Sequence, residues 1–150
     1  GQTEEMIAAL DGMSEYVPEE TIPFTDQNIL LEIGRLYALG GREDMLKQRL
    51  DDIMRQDDLP LQRKVAYASL YFTQLNDYET ADSIYSTLYQ QNPYNGQIVG
   101  ALLRIYEDQE KWQEAVSVLE RWVQANPNDQ NAQNMLQQYR NNARAQETVN

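Results

Sequence analysis

Residues 61–94 read LQRKVAYASLYFTQLNDYETADSIYSTLYQQNPY, and residues 95–128 read NGQIVGALLRIYEDQEKWQEAVSVLERWVQANPN. The two strings are copies of one unit. Asn92-Pro93 and Asn126-Pro127 fall 34 residues apart, and sliding by 34 sets Val65 on Val99, Ala68 on Leu102 and Phe72 on Tyr106. It also sets Tyr78 on Trp112, Ala81 on Ala115, Tyr85 on Leu119 and Leu88 on Trp122. Every pair is apolar or aromatic, so the period marks buried positions rather than composition. A fixed period of this length is the sign of an array whose units bury their apolar faces against one another.

Working outward, an earlier copy aligns with one residue inserted: Leu30, Ile33, Gly34, Tyr37, Leu46, Leu50 and Ile53, ending near Asp57-Asp58-Leu59-Pro60. Helical periodicity dominates, and no stretch combines period-two alternation with β-branched enrichment and hairpin turns. Eight helices are predicted. The first covers about residues 3–16, with Met6, Ile7, Leu10 and Met13 on one stripe. Pro18 and Pro23 bracket a connector, Glu19-Glu20-Thr21-Ile22, that cannot continue a helix because proline lacks the N–H and biases its predecessor to extended geometry. The second starts from the cap signal Thr25-Asp26 and runs to Leu39, where Gly40-Gly41 stops it. Others follow at about 43–56, 61–75, 78–91, 96–108, 112–125 and 129–144. Connections this short force antiparallel neighbours. The last helix sets Ala132, Met135, Leu136 and Tyr139 on one stripe and Gln or Asn elsewhere, the pattern of a terminal cap.

The pattern resembles the tetratricopeptide repeat (TPR) family over about residues 26–128. Ile33-Gly34 looks like the family's Leu-Gly pair, Tyr37, Phe72 and Tyr106 like its first-helix aromatic, and Ala81 and Ala115 like its small second-helix contact. Pro93 and Pro127 resemble its terminal proline. The departures are Leu46 for the small residue in the first copy, Ser69 and Leu103 for Gly, and Trp122 for a small residue. Leu46 suggests wider helix spacing there. The resemblance implies an all-α, right-handed α-solenoid in a single domain over 1–150: an N-terminal helix at 3–16, repeats at 26–59, 61–94 and 95–128, and a capping helix at 129–145.

Composition narrows the function classes. The chain has 150 residues, with 24 acids, 12 bases, a net charge of -12, no Cys and no His. The missing residues remove His-based and Cys-based nucleophilic catalysis, zinc sites built on His or Cys, haem with such ligands, and thiol redox chemistry. Zero Cys is compatible with cytosol, periplasm or exterior alike. The charge disfavours nucleic acid and anionic lipid, whose recognition needs clustered Lys and Arg, and no apolar run is long enough to insert in a membrane. Residues 1–58 hold 14 acids and 5 bases, so the field is concentrated there. Gly1-Gln2-Thr3 lacks an initiator Met, as in an excised piece or a processed form.

The carboxylate pairs Asp51-Asp52 and Asp57-Asp58 are the densest, but adjacent helical residues point about 100° apart and do not converge. The run Asn126 to Asn131 lacks the central Gly and distal Glu of a calcium loop; Asn128 or Asp129 fits a helix cap better. Gly40-Gly41 has no following Lys-Ser/Thr and is a turn. Tyr37, Phe72, Tyr85 and Tyr106 fall at core positions, whereas Tyr67, Tyr71 and Tyr89 are less committed. No catalytic residue, metal site or cofactor is expected.

What remains is the groove that the resemblance implies along the first helix of each hairpin. Carried over by helix phase, it comprises Asn28, Leu31, Arg35 and Leu39, then Arg63, Ala66, Leu70 and Gln74, then Gln97, Gly100, Arg104 and Glu107, with Asn131, Asn134 and Gln138 from the cap. Any of Arg35, Arg63 and Arg104 could pair with a peptide carboxylate through a charge-assisted bond of about 1.5–3 kcal/mol, or with a local acid instead. The family's chaperone-tail clamp needs Lys and Asn where Leu31 and Arg35 stand, which argues against that ligand. The leading expectation is a non-catalytic protein-interaction scaffold that takes a peptide or helix with a basic or neutral face. A weaker likeness, of residues 13–23 and 30–41, to soluble tails of bacterial membrane proteins related to protein O-mannosyltransferases leaves open an accessory tail of a larger protein. Self-association through the apolar face of residues 3–16 is also open.

Overall fold

A computed structural model describes residues 1–18, 21, 23 and 26–149. Glu19, Glu20 and Ile22 of the predicted connector, and Thr25 of the predicted cap, lie outside the described residues. The described residues form eight helices and no strand: α1 (Gln2–Tyr16), α2 (Gln27–Leu39), α3 (Glu43–Met54), α4 (Leu61–Gln74), α5 (Tyr78–Gln91), α6 (Gly96–Asp108), α7 (Trp112–Ala125) and α8 (Gln130–Val149). The all-α helical-repeat class implied by the 34-residue period is therefore the class observed. Two compact units are formed, Gly1–Asp77 and the residues from Tyr78 onward.

In the first unit α2 packs against α1, α3 and α4, and α3 packs against α4. Asp26 starts α2 by accepting from the backbone N–H groups of Asn28 at 2.9 Å and Ile29 at 3.3 Å, two of the donors that a helix start leaves orphaned. Leu30, Ile33 and Tyr37 then fall on its buried face, opposite Leu46, Leu50 and Ile53 of α3. The expectation of wide spacing at Leu46 is overturned by its partner. A Cβ built on Gly34 would lie 2.7 Å from Leu46 Cδ2, so the glycine supplies the room that the large residue takes. The volume of the pair, not of Leu46 alone, sets the approach of the two helices.

The turn after α2 uses both glycines. Gly41 adopts φ +65°, and the Arg42 N–H returns to the Tyr37 carbonyl at 2.7 Å, tying off the helix end. Gly40 is needed for space: a Cβ there would meet Ile7 Cδ1 at 2.5 Å, because α1 crosses over this turn. The same device recurs with different residues. Asn76 (φ 51°) and Glu110 (φ 54°) follow α4 and α6, and the next N–H groups, of Asp77 and Lys111, bond back to the Tyr71 and Tyr106 carbonyls at 2.8 Å each.

In the second unit α5, α6, α7 and α8 pack in sequence. Asn95 caps α6 through Gln97 and Ile98 N–H, and α6 buries Ile98, Val99, Leu102, Leu103, Ile105 and Tyr106. Trp122, the departure from the family's small residue, has its ring edge 3.5 Å from where a Cβ on Gly96 would sit, and its Nε1–H donates to Asp129 Oδ2 at 3.1 Å. The ring thus sits in ordinary contact with α6 and is oriented by one directed bond. The other oxygen of Asp129 accepts from Ala132 N–H at 3.0 Å and starts α8. Ala132, Leu136, Tyr139 and Ala143 are buried beneath it. α8 runs past its predicted end because polar contacts continue: Gln113 Nε2 donates to Glu147 at 2.7 Å, and Gln146 Nε2 to the Glu110 carbonyl at 3.2 Å.

Candidate functional site

The aromatic and acidic residues come first, because they are the material of any catalytic or cage-like site. Four tyrosines are engaged with acids in clips between helices. Tyr37 donates its hydroxyl to Asp11 Oδ1 at 2.6 Å, Arg49 Nε–H donates to the Tyr37 oxygen at 3.0 Å, and Arg49 Nη2 reaches Asp11 at 3.1 Å. Three helices meet in this node. Burial, then the Asp11 bond, push the Tyr37 phenol above its ordinary range. Tyr71 donates to Asp51 at 2.6 Å while Lys47, paired with Asp77, lies 5.2 Å above its ring. In the second unit Tyr106 donates to Asp82 at 2.9 Å, and Lys111 holds the other Asp82 oxygen at 3.4 Å from 6.0 Å above the ring. Tyr139 donates to Glu107 at 3.4 Å, and burial together with the Glu107 charge pushes its phenol up to about 12.

These contacts decide several candidates. Asp51 is the acceptor of a core tyrosine, and Asp52 pairs with Arg55 at 2.7 Å, so the pair diverges into two structural roles. Asp129 is held below the usual carboxylate range by the Ala132 N–H and the Trp122 indole, as a cap and anchor. No group of acids among the described residues is arranged to hold a metal ion. Tyr67 and Tyr71, left uncommitted by the pattern, are both buried, and Tyr89 is half-buried with the Arg121 guanidinium 5.7 Å from its ring. No described helix is long and apolar enough to cross a membrane.

In the first unit, Asn28, Arg35 and Leu39 are exposed, with Leu39 at 77% of its full exposure, and Leu31 is half-buried. Arg35 bonds Glu32 at 2.6 Å one turn earlier on α2, the local pairing weighed as the alternative to a ligand. Leu70 is only 3% exposed: α4 is packed on by both α2 and α3, which buries a wider arc than the groove phase allowed. It is a core residue and presents no surface. Gln74 is half-buried at the end of the same helix.

Arg63 and Ala66 are brought together in a cleft of about 630 Å³ between the starts of α2 and α4. Its other walls are Pro23, Asp26, Gln27, Pro60, Gln62 and the buried Tyr67. Gln27 Nε2 reaches the Ala66 carbonyl at 3.5 Å across it. Arg63 is exposed and makes no ion pair among the described residues. The phase reading missed Gln27, Pro60 and Tyr67, since it followed single helix faces, whereas the cleft is made where two helix starts converge. Pro60 was the available signal: it sets the entry angle of α4 at the N-cap. In the second unit Gln97, Gly100, Arg104 and Glu107 are all exposed on α6, and Asn131, Asn134 and Gln138 are exposed on α8. Asn134 accepts from Gln130 at 3.4 Å, a weak bond within α8.

A family model described as tetratricopeptide repeat matches residues 72–139, a window two periods long. The chain is 29% identical over 96 residues, 64% of its length, to tetratricopeptide repeat protein 21A of the mouse, Mus musculus. It spans 7% of the length of that relative. No solved structure matches the chain.

Proposed function

We propose, from the likeness to tetratricopeptide repeat proteins that the match over residues 72–139 carries, that the chain binds an extended peptide of a partner protein on the first helices of its hairpins, without catalysis. Such repeats serve protein–protein interaction in general. The observation that carries the finer reading is the cleft holding Arg63: a guanidinium in no ion pair among the described residues, beside the half-buried Ala66 and the amide of Gln27, with the α2 cap Asp26 as another wall. A peptide carboxylate entering there would form a charge-assisted pair, while the Gln27 and Gln62 amides offer donors and acceptors to its backbone. On the second unit, taken by itself, we propose Gln97 and Arg104 of α6 and the surface amides of Asn131, Asn134 and Gln138 of α8 as peptide-contacting residues.

The test is a displayed library of unstructured peptides selected on the whole chain, followed by affinities on variants. Removing a charge-assisted bond of about 1.5–3 kcal/mol corresponds to roughly ten- to hundred-fold in Kd. Arg63→Glu is expected to lose at least ten-fold, and Arg35→Glu less than two-fold, because Arg35 is already paired with Glu32. Equal losses, or none at Arg63, would refute the cleft as the peptide's seat.

A further inference from the structure

A second surface on the first unit is lined by residues other than those of the Arg63 cleft. α1 and α2 form between them a groove of about 480 Å³ lined by the apolar Leu10, Met13, Ile29, Ile33 and Leu36 and by the polar Asn28 and Glu32. Exposed large apolar side chains gather on the same two helices: Met6 at 51%, Met13 at 44%, Tyr16 at 81% and Leu39 at 77%. The repeat itself shows what shape fits there. One hairpin later, the groove between α3 and α4 is filled by a helix, since α2 packs on both. In the alignment of the first and second copies, Glu32 and Leu36 correspond to Tyr67 and Tyr71, and these two are covered to 2% and 1% exposure. Their counterparts on α2 are open: Glu32 is exposed and Leu36 half-buried. The α1–α2 groove is thus the same helix-sized seat with no described residue covering it, and its apolar walls are unlike the polar outer face of a capping helix.

Charge selects among helices. The described residues of 2–39 include six acids and a single base, Arg35, which is itself tied to Glu32. A seat with apolar walls in so acidic a surround favours an apolar stripe flanked by cations. Met6 and Met13 add unbranched side chains that reshape to such a stripe. We propose that the α1–α2 groove docks one amphipathic helix of a partner protein, with apolar residues at i, i+3, i+4 and i+7 and Lys or Arg on its flanks.

The probe is a synthetic amphipathic helix of Leu and Lys, added to the full chain carrying methyl-labelled Met; the control is the same Leu stripe with Glu in place of Lys. The chain's five Met residues report by position, with Met13 on the groove, Met6 exposed on α1 two turns earlier, and Met135 on α8. The Leu/Lys helix is expected to shift Met13 and Met6 while leaving Met135 unmoved, and to bind at least ten-fold more tightly than the Leu/Glu helix. Met13→Gln, a change at a half-exposed surface position that leaves the far-ultraviolet circular dichroism unaltered, is expected to weaken it at least five-fold. Shifts spread equally to Met135, or an affinity indifferent to Met13→Gln, would overturn the proposal by showing charge attraction without a seat. A concentration-dependent dimer that shifts Met6 and Met13 in the absence of peptide would overturn it in favour of a second copy of the chain.

Discussion

Gly34→Ala inserts a methyl group where Leu46 Cδ2 already stands, 2.7 Å from the new Cβ. Two effects compete. In a helix interior, Ala is favoured over Gly by about 0.8–1 kcal/mol. Against that, Leu46 is 1% exposed and cannot swing away, so the added methyl forces off-rotamer side chains or a shift of α2 from α3, at about 1–3 kcal/mol. The balance is a destabilisation of up to about 2 kcal/mol, with the steric term winning because both partners are walled in. Since each kcal/mol moves the midpoint of a chain this long by about 2–4 °C, the single variant is expected to melt several degrees lower. Leu46→Ala alone removes a buried side chain and costs about 2–5 kcal/mol. In that background the space beside Gly34 is vacant, so Gly34→Ala retains its helix-propensity gain, fills part of the cavity and becomes stabilising. The assay is urea unfolding of the wild type, both singles and the double, read by circular dichroism at 222 nm. The sign reversal is the decisive outcome. If Gly34→Ala has the same sign and size in both backgrounds, the two residues are uncoupled and the account of their close approach is refuted.

Asp11→Ala removes the acceptor shared by Tyr37 and Arg49, two partly buried donors, and is expected to cost about 1–2 kcal/mol. Amide exchange should locate the loss in α1, and unchanged protection of residues 2–16 would show that the clip does not hold that helix. On the alkaline side, the Tyr71, Tyr85 and Tyr139 phenols are all raised above the ordinary 10.0 by burial, to about 12 at Tyr139, so the fold prefers their neutral forms. Their contribution is fully present below the unfolded value and is lost as the pH rises through the folded ones. Thermal stability should therefore decline from about pH 10 upward, with tyrosinate absorbance at 295 nm rising together with unfolding. Ionisation of these phenols near pH 10 in the still-folded chain would contradict their burial.

Helix positions were legible along the chain because their signals are local: apolar spacing for each buried face, Asp26 at a start, Gly40-Gly41 at a stop. The site was less so. Leu70 lies on the stripe of α4 that also holds Arg63 and Ala66, but two helices of the same unit pack on α4 and cover it. At the second copy the pattern pointed to Phe72 as the counterpart of Tyr37 and Tyr106. Phe72 is indeed buried, yet a phenyl ring cannot donate, and it is the neighbouring Tyr71 that bonds Asp51. Near that helix end, Leu75 N–H returns to the Leu70 carbonyl and Asp77 N–H to Tyr71, a closure that spans one residue more than those after α2 and α6.

The sequence by itself determined a helical repeat with a 34-residue period, core positions such as Ala68, Ala81, Tyr106 and Ala115 that recur with it, and a strongly acidic first third. Periodicity and turn chemistry act over a few residues, and charge needs no fold to be counted. Only the tertiary structure decided that Gly34 makes room for Leu46, which acid Tyr37, Tyr71, Tyr106 and Tyr139 each clip, that Arg63 stands in a cleft, and that no described residue covers the α1–α2 groove. Each of these depends on atoms from separate helices meeting within a few ångströms. A one-residue change in register or a single large-for-small exchange alters such a meeting while leaving the repeat pattern intact.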